Sequence, residues 1–139
     1  MIRHILDTDT LSLLAAGHPA ICREVAPRRP GALAITVISV EEQLTGWYST
    51  LHRAGSASRE AALYLRLANS VRFLATLPIL TYSESAIGRF DGLVALRLNV
   101  GKMDLRIAAI AIEEGCTVVT RNLRDFGRIP GLAVEDWSI

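Results

Sequence analysis

Three acidic residues stand where carboxylates could act together: Asp7, Glu42 and Asp104. Ligands of open parallel sheets sit beyond the carboxyl ends of the strands, so the polar residues that end apolar runs, Asp7, Thr36 and Thr120, are the first to weigh. Each acid also has a structural reading. Asp7 could cap the helix that follows it, an effect of about 1 kcal/mol. Glu42 lies three residues after Ser39, the spacing of a capping box. Asp104 precedes an apolar run and could cap that helix, and Asn122, in Thr120-Arg121-Asn122, is an ordinary cap or loop residue. Convergence favours chemistry over capping. Carboxylates gathered at one sheet edge repel each other unless a cation joins them. Hard divalent cations take carboxylate oxygens, and Mg²⁺ usually keeps water and a substrate phosphate beside one or two of them. The histidines do not suggest zinc: His4 falls inside the first apolar run, His18 beside a turn proline and His52 near a helix end.

The elements that must position these residues follow from periodicity and punctuation. Residues 2–6 read as a buried strand, followed by a helix through Leu11, Leu13 and Leu14 and a short helix over 20–25. Leu33–Thr36 is compact, apolar and branched, as a central strand requires, and a helix is expected from about Ser39. Apolar residues at helical spacing predict helices over 58–74 and 83–98, the second capped by Ser83, with a strand over 77–81 between them. A largely buried helix runs from Asp104 to Glu113-Glu114-Gly115, then strands over 116–119 and 132–135, the last after a turn at Pro130-Gly131. Alternating strands and helices predict an α/β fold: a three-layer α/β/α domain with a central, mostly parallel sheet of four to five strands, spanning residues 1–139 as a single domain.

Composition bounds the function. The 139 residues are 50% hydrophobic, 21% charged and 6% aromatic, which excludes disorder and leaves a core that needs no staples. A net charge of +1 supplies no global field for nucleic acid, so such a partner must be held locally. All the basic residues except Lys102 are arginines, which suit bidentate phosphate contacts. The longest stretch free of Asp, Glu, Lys and Arg, residues 10–22, is shorter than the roughly 20 apolar residues of a membrane span. Asp7 and Asp9 interrupt any signal peptide, so a cytoplasmic location is expected. Cys22 and Cys116, with no CxxC, read as free thiols.

Five motifs run through the chain in order: Ile5-Leu6-Asp7-Thr8-Asp9-Thr10-Leu11-Ser12, Ile38-Ser39-Val40-Glu41-Glu42-Gln43-Leu44-Thr45-Gly46, Met103-Asp104-Leu105-Arg106-Ile107-Ala108-Ala109, Val119-Thr120-Arg121-Asn122-Leu123-Arg124-Asp125-Phe126, and Ile129-Pro130-Gly131-Leu132 with Trp137. Together they resemble the PIN domain and, within it, the VapC toxins of type II toxin–antitoxin systems. The resemblance implies an Mg²⁺- or Mn²⁺-dependent endoribonuclease. Its metal-binding acids carry over onto Asp7, Glu42 and Asp104, with the spacing to Gly46 choosing Glu42 over Glu41, and its fourth catalytic position falls at Asn122, where the family often has Asp. Thr8 or Thr120 would orient ligands or phosphate, and Asp125 reads as a supporting or turn residue. The family further implies an RNA substrate, a VapB-type antitoxin whose C-terminal segment covers the acids, and a homodimer or toxin–antitoxin hetero-oligomer. The apolar helix faces within residues 38–74 are the expected antitoxin groove, and Arg28, Arg29 and Arg121 the local arginines for RNA.

Two other classes remain open at the level of sequence. Asp7-Thr8-Asp9 resembles the strand-end DxD of haloacid-dehalogenase-like phosphatases, but Leu11 stands where that motif needs Thr or Val, and the acidic metal motif expected late in the chain is missing. The alternative is a catalytically weak PIN domain serving as an RNA- or protein-binding regulatory module, for which Asn122 is the hint.

Overall fold

The computed structural model describes residues 1–139. The chain runs β1 (His4–Leu6), α1 (Thr8–Ala15), α2 (Pro19–Val25), β2 (Leu33–Thr36), α3 (Val37–Leu51), α4 (Ala57–Leu74), β3 (Ile79–Leu80), α5 (Glu84–Ala95), α6 (Lys102–Glu114), β4 (Thr117–Val119), α7 (Leu123–Phe126) and β5 (Val134–Glu135). The strands form one sheet in the order β3-β2-β1-β4-β5. Every pairing is parallel, so the expected mostly parallel sheet is wholly so.

Successive strand residues point to opposite faces, and here both faces are covered. Ile5 and Val118 enter a core built with α5 and α6, while Leu6, Val119, Leu33 and Ile35 enter a second core with α1, α2 and α4. Ile5, Leu6, Val118 and Val119 are fully buried, each contributing about 1.5–3 kcal/mol relative to exposure. Helix α6 is the most enclosed: Leu105 and Ile107 to Ala111 are all buried, with alanines at 108, 109 and 111 keeping that layer thin. It stops where predicted, at Gly115, whose φ of 66° is readily adopted without a Cβ.

Several boundaries differ from expectation. Helix α3 starts at Val37 with Thr36 as its cap, the Thr36 hydroxyl accepting from the Ser39 amide at 3.3 Å, so Ser39 and Glu42 do not form a capping box. Helix α4 is capped by Ser56 and begins at Ala57. Ser83 caps α5 as expected, but the helix ends at Ala95, because Arg97 and Asn99 follow in left-handed backbone with φ of 54° and 58°. Gly101 supplies the N-cap position of α6 with no side-chain hydrogen bond, so Asp104 is not its cap. The four-residue α7, absent from the sequence reading, begins after Asn122.

Candidate active site

Sheet order reverses between β1 and β4: β2 and β3 follow β1 on one side, β4 and β5 extend the other. Such a switch point leaves a crevice beyond the carboxyl ends of the strands. The five buried polar residues of the protein, Asp7, Thr10, Thr36, Ser39 and Thr120, all lie at strand ends or in the first turns of the helices that follow. An open cleft of about 680 Å³ occupies this edge, lined by Asp7, Thr8, Asp9, Ser12, Glu42, Asp104, Arg121 and Asn122. All four predicted site residues therefore face one space.

Asp7 both caps α1 and lines the cleft. Its Oδ1 accepts from the Thr10 amide at 2.9 Å, and its own amide donates to the Val119 carbonyl at 3.0 Å, locking β1 to β4 at the cleft floor. The side chain is only 5% exposed. Burial pushes its carboxyl above the usual range, against the opposite pull of hydrogen bonds from Thr120 and Thr10. The Thr10 hydroxyl is itself buried without a full hydrogen bond.

Glu42 sits on the second turn of α3, and Oε1 accepts from the Thr8 hydroxyl at 2.6 Å. The Thr8 oxygen also lies 2.9 Å from Ser39 Oγ. A hydroxyl has one proton, and Thr8 gives its proton to the carboxylate, so Ser39 donates to Thr8. The Ser39–Thr8–Glu42 chain joins α1 to α3 and holds one carboxylate oxygen in place.

Asp104 occupies the third position of α6, in the first turn, where the exposed amides favour negative charge. It is half-buried and its pKa rises to about 6, first through burial and then through the charges of Asp7, Glu42 and Asp125. No cation opposes that rise.

Asn122 is exposed, and its amide is turned onto its own helix: Oδ1 accepts from the Asp125 amide at 3.3 Å and Nδ2 donates to Asp125 Oδ2 at 2.9 Å. Asp125 also binds Arg128 at 3.2 Å, a turn arrangement. Arg121 is the one basic side chain in the cleft wall, paired with Asp9. Arg28 stacks 4.2 Å over Trp137 and donates to the Glu24 carbonyl, and neither it nor Arg29 lines the cleft. The histidines are structural: His4 lies 3.3 Å from Glu135, His18 caps α2 and His52 closes α3. The sequence placed Asp9 near the same edge, as the second acid of Asp7-Thr8-Asp9, but offered no sign of its pairing with Arg121 or of Ser12 in the cleft wall.

The donor set suits a hard divalent cation: carboxylate oxygens, burial that penalises the charge of Asp7 and Asp104, and no basic residue bonded to Asp7, Glu42 or Asp104. No three His, Cys, Asp or Glu side chains are grouped tightly enough to enclose an ion by themselves. A divalent cation in the cleft would draw on few of these carboxylates, with water completing its shell, rather than on a closed protein cage.

No family model matches the chain. The tRNA(fMet)-specific endonuclease VapC of Salmonella typhimurium (strain LT2) is 31% identical over 99% of both chains. Among solved structures, DNA-bound VapBC from the same species superposes with a TM-score of 0.76 at 29% identity over 99% of both chains. VapBC2 from Rickettsia felis, bound to a DNA fragment from its promoter, gives 0.74 at 28% identity, again over 99% of both.

Proposed function

The chain belongs to the VapC ribonuclease family, and we propose that residues 1–139 act as one Mg²⁺- or Mn²⁺-dependent endoribonuclease, the toxin of a VapBC-type module. The carrying observation is the cleft itself, where Asp7, Glu42 and Asp104 stand together without a basic partner at the switch point of the sheet. In this reading Asp7 and Asp104 are the principal metal ligands, and Glu42, steadied by Thr8, is a further ligand or orients water. Bound metal would activate water for in-line attack and stabilise the charge that develops on the phosphodiester. Asn122, its amide engaged with Asp125, acts as a polar edge of the site rather than as a fourth charged ligand. Thr120, buried at the end of β4, accepts from the Asn122 backbone N–H at 2.9 Å through its hydroxyl and supports that edge beside Asp7.

The antitoxin would dock on a second cavity, a groove of about 560 Å³ between α1, α3 and α4 that includes Leu11, Trp47, Phe73 and Leu74. This is an apolar seat for the helix of a VapB-type partner. Its α3 and α4 walls fall within residues 38–74, the stretch expected for that role, whereas its α1 wall, Leu11 to Ala16, lies outside it. No helix of the chain is long and apolar enough to cross a membrane, and a cytoplasmic site of action accords with an RNA target.

The deciding experiment treats total cellular RNA with purified protein in Mn²⁺, Mg²⁺ or EDTA, comparing the parent with Asp7→Asn and Asp104→Asn and sequencing the fragment ends. Metal-dependent cuts lost in both variants support the assignment. Cuts that persist in EDTA or in either variant overturn it.

A further inference from the structure

Arg121 Nε lies 2.8 Å from Asp9 Oδ2, and Nη2 lies 3.3 Å from Oδ1, a forked pair at the rim of the cleft. Both side chains are about half exposed. The backbone beneath Arg121 is fixed on both sides: the Thr120 amide donates to the Glu135 carbonyl, and the Asn122 amide to the Thr120 hydroxyl. The guanidinium is thus an exposed head on an anchored stem. Arg121 is also the only cation among eight lining residues that include four carboxylates, Asp7, Asp9, Glu42 and Asp104. No other arginine lines the cleft, and three are committed elsewhere, Arg28 to Trp137 and Glu24, Arg89 to Glu113 and Arg106 to the face of Phe90.

Asp9 differs from its acidic neighbours. Asp7 is held by the Thr10 amide and Glu42 by Thr8, whereas the one polar partner of Asp9 is Arg121. A carboxylate and a phosphodiester present the guanidinium fork with the same two-oxygen geometry. Exposed ion pairs add little net stability, so an arriving phosphate can replace Asp9. Arg121 and Asp7 line the same cleft, so a guanidinium with no partner at the rim would have an unneutralised carboxylate to turn toward. The pair with Asp9 holds the guanidinium at the rim of the cleft.

We propose that Arg121 is the residue that grips a backbone phosphate of the RNA, and that Asp9 is its resting partner, exchanged for that phosphate on binding. The inference rests on the ribonuclease reading and adds to it the group that holds the substrate's charge.

The test is a double-mutant cycle for binding of a mixed-sequence single-stranded RNA oligonucleotide in EDTA. Asp9→Asn tightens binding about threefold to tenfold by freeing the guanidinium. Arg121→Gln weakens it and lowers the slope of log affinity against log salt by about 1, the mark of one lost phosphate contact. Arg121→Lys keeps the charge without the fork and falls between. With Gln at 121, Asp9→Asn changes affinity less than about twofold, because there is no guanidinium left to free.

Equal tightening by Asp9→Asn in both backgrounds overturns the proposal, since it shows only general relief of negative charge. So does unchanged affinity, or the absence of RNA binding in every variant. Weaker Mn²⁺ binding in Asp9→Asn with RNA affinity unaltered also overturns it, by showing that Arg121 turns inward instead. A coupled cycle in a protein that cuts no RNA with Mn²⁺ upholds the phosphate grip and removes the ribonuclease reading. Metal-dependent cutting with an uncoupled cycle does the reverse.

Discussion

Two neighbouring cavities of similar size, about 680 Å³ and 560 Å³, share Ser12 and differ in almost everything else. The cleft has no hydrophobic residue in its wall, whereas the groove sets Leu11, Trp47, Phe73 and Leu74 around a few polar groups. Helix α1 divides them, giving Asp9 to the cleft and Leu11 to the groove, and Gln43 Nε2 donates to Ser12 Oγ at 2.7 Å along the boundary. The contrast shows two kinds of unfinished surface. In the cleft, burial works against charge that lacks a counterion, which a cation relieves. In the groove, Leu11 and Leu74 form a buried floor while the part-exposed rings of Trp47 and Phe73 face water, which a protein partner relieves.

The largest expected effect breaks one cavity and spares the other. Asp104→Asn lowers metal-dependent RNA cleavage on the order of 10²–10³-fold, while antitoxin affinity, measured by calorimetry, changes less than it does in Trp47→Ala. Trp47→Ala removes an aromatic from the groove and weakens the antitoxin by about 2 kcal/mol, a typical anchor effect. Equal losses of antitoxin binding in the two variants would show that the cavities act as one site.

A smaller effect sharpens the cleft alone. Thr8→Val removes the donor to Glu42 and leaves Ser39 without its acceptor, and we expect cleavage to fall about tenfold, as when a supporting hydrogen bond is taken from a metal ligand. Thr8→Ser keeps the hydroxyl and should restore most of that rate. A kinetic comparison in which Val and Ser behave alike would leave Glu42 positioned by something other than Thr8.

The cleft was more legible in the sequence than the contacts that tune it. Leu6-Asp7, Ile35-Thr36 and Val119-Thr120 each mark a strand end by an abrupt change from apolar to polar, and those changes locate the sheet edge without any long-range information. The groove was foreseen only as a stretch of helix faces, because its walls come from three helices distant in sequence. Helix α7 escaped notice, since four residues carry no periodicity to detect. The start of α3 was displaced because Val37 and Ile38 prolong the apolar pattern of the strand before them. The Asp9–Arg121 pair joins residues at opposite ends of the chain, and only the adjacency of β1 and β4 brings them together.

The smallest effect is on folding in the absence of divalent metal. Asp104 titrates at about 6 in the fold and near 4 in an unfolded chain, so between those values the native state keeps a proton that the unfolded state has released. Its contribution to stability therefore falls as pH rises from about 4 to 6 and stays low above that. Asp7, also raised, acts in the same direction, whereas His4, lowered by burial, makes the fold less stable as pH falls through the range below 6.5. Asp104→Asn removes the first of these dependences and leaves the histidine's in place. Melts in EDTA should then show the variant gaining on the parent by a few degrees between pH 4.5 and 7. Mn²⁺ at pH 7 should close the gap by raising the parent's Tm more than the variant's. A gap that does not widen with pH would mean that Asp104 carries no such penalty, and the distinction between a charge-strained cleft and an apolar groove would lose its thermodynamic basis. Trp47→Ala, across α1, should leave this pH dependence as it is in the parent.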